Sequence, residues 1–224
     1  MNRIAVIYYS KYGTTRQYAR WICDAVGGDL FDARKTKLKD LSDYDIVVYG
    51  GGIYSGGIKG IELITKNWYK GLSEKKVICF GVGITIDKEE NREQCIAINF
   101  ERRFVTDAKE DEGKETGTFK ASELFKEKRL PIECYFLPGA YDPKKIKGID
   151  KGIMAITRKM IGDDPAGRYI LEYTGKGCDL VDKNAIGKIV EAVKRQVMRD
   201  SGQPSARSRY MKEALNVAVA YRLQ

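Results

Sequence analysis

Histidine is absent from all 224 residues. With it go Ser-His-Asp and Cys-His catalysis, imidazole metal ligation and histidine acid–base chemistry. Cysteine is sparse: Cys23, Cys79, Cys95, Cys134 and Cys178 are odd in number and never spaced as CxxC. That pattern fits reduced core thiols in a cytoplasm better than a disulfide framework or a metal knuckle. No apolar run approaches a membrane span, and the chain enters a strand almost at once, leaving no place for a secretory leader. No side chain stands out as a general acid or base, so chemistry done here belongs to a bound cofactor. What is present is ordinary for a globular protein: 43% hydrophobic and 32% charged residues, enough for one sizeable core or for a domain with an appendage. The formal charge of +9 attracts phosphates, acidic partners or an anionic membrane surface. It is spread along the chain with no recognition motif, which argues against nucleic acid.

The most informative stretch is Arg3 to Thr15. The run Ile4-Ala5-Val6-Ile7-Tyr8-Tyr9 is short and β-branched, as in a strand buried on both faces. It gives way to Ser10-Lys11-Tyr12-Gly13-Thr14-Thr15, in which five of six residues carry a side-chain donor. A helical spacing follows at Tyr18, Ile22, Ala25 and Val26. A strand feeding a hydroxyl-rich turn and then a helix N-terminus makes an anion site, because the first helical N–H groups lack partners and the dipole is positive there. Thr14 with Gln17 also reads as a capping box, but a cap needs one hydroxyl, and three aliphatic hydroxyls, a phenol and a lysine are present. The turn has neither GxGxxG nor GxxxxGK[ST], which excludes a dinucleotide fingerprint and a nucleotide-triphosphate loop.

This turn resembles the phosphate loop of flavodoxins, which holds the FMN 5′-phosphate, and the resemblance covers most of residues 1 to about 197. It implies an α/β fold: a doubly wound five-stranded parallel sheet of order 2-1-3-4-5, with helices on both faces and FMN at its carboxyl edge. Ser10, Lys11, Tyr12, Gly13, Thr14 and Thr15 would hold the phosphate. The third strand, Asp45 to Tyr49, is expected to break at Gly50-Gly51-Gly52-Ile53-Tyr54-Ser55-Gly56-Gly57. Five glycines in eight residues let backbone approach a flat ligand. By position in the family, Gly51, Gly52, Ile53 and Tyr54 would lie along the isoalloxazine, with Tyr54 the candidate for ring stacking. The fourth strand, Lys76 to Phe80, ends in Gly81-Val82-Gly83, which resembles the second flavin-edge loop.

The rest of the chain supplies the scaffold. A weak second strand is expected at Asp29 to Ala33, and a short helix within Lys35 to Asp43 with Leu38 and Leu41 inward. A helix carries Ile61, Ile64 and Trp68 on one face, and another lies near residues 90 to 105 over Cys95, Ile98, Asn99, Phe100 and Phe104. Residues 107 to 120 are charged and read as a mobile loop, with a short helix at Phe119 to Lys126. The fifth strand is Ile132 to Leu137. An apolar helix, Ile149 to Ile161, follows a Tyr141-Asp142-Pro143 segment. Residues 163 to 167 make a break, Tyr169 to Thr174 reads as extended, and Asp182 caps the last helix, Ile186 to Val197.

About 45 residues separate the fifth strand from the last helix, more than a simple flavodoxin has. That layout looks like the menaquinone-dependent protoporphyrinogen dehydrogenase branch of the flavodoxin-like proteins. The expected organisation is a domain over 1–200, with a linker and C-terminal extension over 201–224. Two functions compete: an FMN-dependent oxidoreductase acting on a quinone or porphyrin-like substrate, and an electron carrier serving a protein redox partner. The basic charge favours the enzyme, since soluble flavodoxin carriers are generally acidic. It leaves open peripheral contact with the inner face of the membrane, and the tail leaves open a homodimer.

Overall fold

The residues of β1 (Ile4–Tyr9) alternate between two interiors. Ile4, Val6 and Tyr8 enter one core, Ala5 and Ile7 the other. A strand buried on both faces belongs in the middle of a parallel sheet with helices on each side, and β1 lies there. The computed structural model describes residues 2–101, 129–160 and 165–201. In it β1 pairs in parallel with β2 (Asp29–Asp32) and β3 (Ile46–Tyr54), β3 with β5 (Lys76–Gly83), and β5 with β6 (Glu133–Pro138). The order β2-β1-β3-β5-β6 is the doubly wound order expected, 2-1-3-4-5 when the five long strands alone are counted. A two-residue strand, β4 (Gly57–Ile58), folds back antiparallel onto the end of β3.

The two faces are covered by different elements. α1 (Thr14–Val26) and α6 (Gly187–Ser201) place Tyr18, Ile22, Ile189 and Val193 against Val6, Val48, Ile78 and Phe80. On the other face Ile61, Ile64, Trp68, Leu41, Cys95 and Phe100 pack on Ile7, Val47, Tyr49 and Cys79. The helix expected over Ile61 to Trp68 is broken into α2 (Glu62–Thr65) and a 3-10 turn at Trp68–Lys70, although all three apolar residues are buried as anticipated. α3 (Glu89–Ile96) widens into a π-helical turn at Ala97–Glu101. The expectations for Phe104, residues 107–120 and 119–126, Ile161 and residues 202–224 lie outside the described residues.

Three departures have physical causes. β3 and β5 do not stop before their glycines but run through them, to Tyr54 and Gly83. Glycine keeps its ladder pairing where no side chain fits. A Cβ at Gly50 would enter the Phe80 ring, one at Gly51 would come within 2.5 Å of Lys59 O, and one at Gly81 within 2.8 Å of Ile53 Cδ1. The span Tyr169 to Thr174 is not extended but part of α5 (Pro165–Lys176). A short apolar run has no decisive period, and Pro165 at the first helical position starts the helix. Thr14 is not an N-cap: Gly13 holds that position at φ 104, and no side chain caps α1.

The long segment between β6 and α6 leaves and re-enters through a two-stranded ribbon, β7 (Ala140–Tyr141) against β8 (Cys178–Asp179). It contains α4 (Ile149–Met160) and α5. Tyr18 ties the exit and return together. Its buried hydroxyl donates to Pro138 O at 2.7 Å and accepts from the Asp182 N–H at 2.9 Å. Asp182 in turn accepts from the Asn184 N–H at 2.9 Å, capping the 3-10 turn Lys183–Ile186 ahead of α6. Replacing Tyr18 with Phe strands a carbonyl and an N–H inside the fold. We expect a loss of about 1–3 kcal/mol with an unchanged m-value in urea denaturation, and an unaltered midpoint would contradict this bridging role.

Candidate functional site

The chain leaves β1 at the point where the sheet winds one way to β2 and the other way to β3, and it crosses directly into α1. The connecting turn is braced from within. The Gly13 N–H donates to Ser10 Oγ at 3.1 Å, and the first intrahelical bond runs from the Gln17 N–H to Gly13 O at 3.0 Å. The N–H groups of Thr14, Thr15 and Arg16 therefore lie at the helix end without intrahelical acceptors. There is no acidic residue in the first turn and no side-chain cap. Of the two readings of this turn, the structure removes the side-chain cap, and it leaves N–H groups of the kind an anion would meet. Gly13 has open space around it, so its left-handed φ is what requires glycine.

The other expected site residues converge on this turn along the carboxyl ends of neighbouring strands. Gly51 is register partner to Tyr9 on one side and to Gly81 on the other, and Gly52 to Val82. A Cβ at Gly52 would lie 3.0 Å from the Tyr54 ring and 3.8 Å from Thr15 Oγ1, so Tyr54 sits beside the turn. Ile53 leans over Gly81 and Gly83 and joins the two glycine-bearing ends. Gly139 closes the row, its N–H donating to Gly83 O at 2.8 Å. The Val82 side chain points into the core beneath α1 and α6, so only its backbone faces the edge. The glycines at 50, 51 and 81 are required by the protein's own packing, whatever lies beyond them.

Two residues that the sequence does not mark complete the site. Asp150, in the first turn of α4, lies 2.5 Å from Lys11 Nζ and accepts a hydrogen bond from the Tyr12 hydroxyl. Lys11 and Tyr12 hold its carboxyl below the usual range, with Lys59 adding to the effect. Burial and then the charge of Asp150 push Tyr54 up to about 12, so its phenol stays protonated at neutral pH. Asn99, buried in the π-helical turn, accepts from the Ile58 N–H at 2.9 Å and donates to Gly56 O at 2.8 Å. It thereby holds the hairpin after Tyr54, whose turn residues Ser55 and Gly56 both have positive φ. An acid in a first helical turn, or an Asn in an apolar patch, reads as routine in sequence; only the fold shows what they touch. Burial raises all five thiols above their ordinary value, the opposite direction from the lowering that activates a thiol nucleophile.

A family model described as "Flavodoxin domain" matches residues 5–166. Among solved structures, the chain is similar to a flavodoxin, WrbA-like protein from Agrobacterium tumefaciens at 17% identity, covering 44% of this chain and 69% of that one with a TM-score of 0.36. It is similar to oxidised flavodoxin 2 from Bacillus cereus at 22%, covering 43% and 75%, TM-score 0.29. It is also similar to a short-chain flavodoxin associated with a non-canonical PDU bacterial microcompartment at 18%, covering 42% and 74%, TM-score 0.36. No match was found among curated proteins. The family match carries the assignment.

Asn99→Leu removes the partners of the buried Ile58 N–H and the half-buried Gly56 O. We expect amide exchange at Ile58 to speed on the order of tenfold or more, with a smaller change in strand β1. Equal protection of Ile58 in both proteins would contradict the clamp.

Proposed function

This chain belongs to the flavodoxin-domain family, and from that premise we propose that it binds one FMN and exchanges electrons through it. The observation that carries the reading is the uncapped N-terminus of α1, opening onto a braced turn of hydroxyls at the switch point of the sheet. The residues fit a terminal phosphate. Thr14 and Thr15 bring hydroxyls, Ser10 keeps an O–H to donate while its oxygen accepts from Gly13, and Lys11 and Tyr12 bring a cation and a phenol. FMN is favoured over FAD because the turn lacks pyrophosphate glycines. Gly51, Gly52, Ile53 and Tyr54 on one side and Gly81, Val82 and Gly83 on the other would run along the ring, Val82 through its backbone alone. When bound, FMN supplies hydride or single-electron transfer; this chain's residues bind it, orient it and exclude water.

The comparisons suit an oxidoreductase and an electron carrier equally, and we favour the oxidoreductase on one feature of the inserted segment. A helix lies on the phosphate turn through Asp150, where a carrier docking on a partner's surface has no need of one. That helix has an exposed apolar residue, Ile156 at 60%. The same helix and the turn before it carry exposed cations at Lys144, Lys145, Lys147, Lys151, Arg158 and Lys159. A flat, apolar, anionic ligand suits such a surface, whether a porphyrin-like donor such as protoporphyrinogen or a quinone held at an anionic membrane. Among the described residues no helix is long and apolar enough to cross a membrane.

Three measurements test this reading. Acid release and chromatography of the bound pigment should return one FMN per chain. Thr14→Ala and Thr15→Ala should each weaken FMN about tenfold or more, since a hydrogen bond to a charged group contributes roughly 1.5–3 kcal/mol. FAD, or unchanged affinity in both variants, would contradict the site. For the reaction, Lys151, Arg158 and Lys159 changed together to Glu should slow reoxidation of the reduced flavin by quinone, or its reduction by porphyrinogen, without loss of FMN, as read by anaerobic stopped-flow absorbance. If neither compound reacts and a ferredoxin-like protein does, the carrier replaces the enzyme.

A further inference from the structure

Asp150 is a carboxylate held on the outer donors of a turn built to receive an anion. Its side chain is 17% exposed and lies 2.5 Å from Lys11 Nζ, and the Tyr12 hydroxyl donates to the same oxygen. The contact spans 138 residues of sequence, so it is a tertiary contact of α4 and not part of the turn's own bracing. That bracing, Gly13 N–H to Ser10 Oγ and Gln17 N–H to Gly13 O, leaves Lys11 and Tyr12 free to serve another partner. A phosphate bound in the turn needs the same two donors, and it carries the same sign of charge as Asp150. At hydrogen-bonding separations two anions sharing one lysine repel each other by more than an exposed pair would in bulk water.

We propose that Asp150 is an internal anion that occupies Lys11 and Tyr12 and yields them to the FMN phosphate, which makes α4 a gate on the cofactor turn. The inference rests on the FMN reading above. Two features let the gate move. Gly148, two residues before Asp150, has φ 58, in the left-handed region where glycine turns the chain at little cost. And a second cation stands close by: Lys59 already bears on the Asp150 carboxyl, and its Nζ lies 5.6 Å from the centroid of the Tyr54 ring. A carboxylate released from Lys11 therefore passes to Lys59 instead of being stranded beside Tyr12 and Tyr54. The gate thus has two stations, one over the phosphate turn and one beside the Tyr54 edge. Cofactor uptake exchanges one anion for another at Lys11, and the charge of the site changes less than it would if phosphate entered a bare cationic turn.

The test is fluorescence titration with FMN of four proteins freed of flavin: wild type, Asp150→Asn, Lys11→Met and the double variant. The asparagine keeps shape and removes charge, so the fold is retained; circular dichroism and the thermal midpoint of each apoprotein check this. The gate predicts that Asp150→Asn binds FMN on the order of tenfold more tightly and associates faster, and that this gain vanishes in the Lys11→Met background. Unchanged or weaker binding in Asp150→Asn, with wild type binding normally, overturns the gate alone and makes Asp150 a strut that positions Lys11. Absence of FMN binding in all four proteins overturns the gate together with the FMN reading on which it rests.

Discussion

Double burial of β1 is the constraint on which the rest depends. With Val6 packed beneath α1 and α6 and Ile7 packed over the opposite core, the strand cannot sit at an edge or face water. It must have parallel neighbours on both sides, and β2 and β3 supply them. The chain then has one place to go at the strand's carboxyl end, across the sheet's top into α1. Placing the α1 N-terminus at the point where the sheet changes winding direction is a consequence of that topology. The uncapped N–H groups at that end are where the topology offers the proposed phosphate contact.

The glycine-rich strand ends show how packing and function can coincide without one implying the other. Gly50 accepts the Phe80 ring, Gly51 the Lys59 backbone, and Gly81 the Ile53 side chain. Each lets two protein segments approach, and together they draw the ends of β3, β5 and β6 into one smooth edge. A flat ligand benefits from that edge, but the first demand for glycine comes from the fold itself. The same economy appears in Tyr18, which fills the core with its ring and uses its hydroxyl to fasten the entry and exit of the inserted segment.

Much of this was legible in the residues. An apolar run marks β1, helical spacing marks α1 and α6, the strand order is what the family resemblance implies, and the turn from Ser10 to Thr15 stands out by its donors. What escaped did so for physical reasons. The strand tips at Gly50–Tyr54 and Gly81–Gly83 read as loops in sequence because glycine is a loop residue by propensity, while ladder pairing and tight packing override propensity in a sheet interior. Tyr169 to Thr174 reads as extended because six residues cannot separate a period of 2 from one of 3.6. Asp150 and Asn99 were invisible as site residues because their roles are set by partners far away in sequence, Lys11 and Tyr12 for one, Gly56 and Ile58 for the other.

The central claim is that the turn after β1 recognises a phosphate and that this recognition dominates flavin binding. Comparing FMN with riboflavin tests it most directly, because riboflavin carries the same ring and ribityl chain without the phosphate. Calorimetric titration of the flavin-free protein should show FMN bound at least a hundredfold more tightly, roughly the sum of two charge-assisted hydrogen bonds. Equal affinities for the two would mean that the ring alone is recognised, and the role assigned to Ser10 through Thr15 would be wrong.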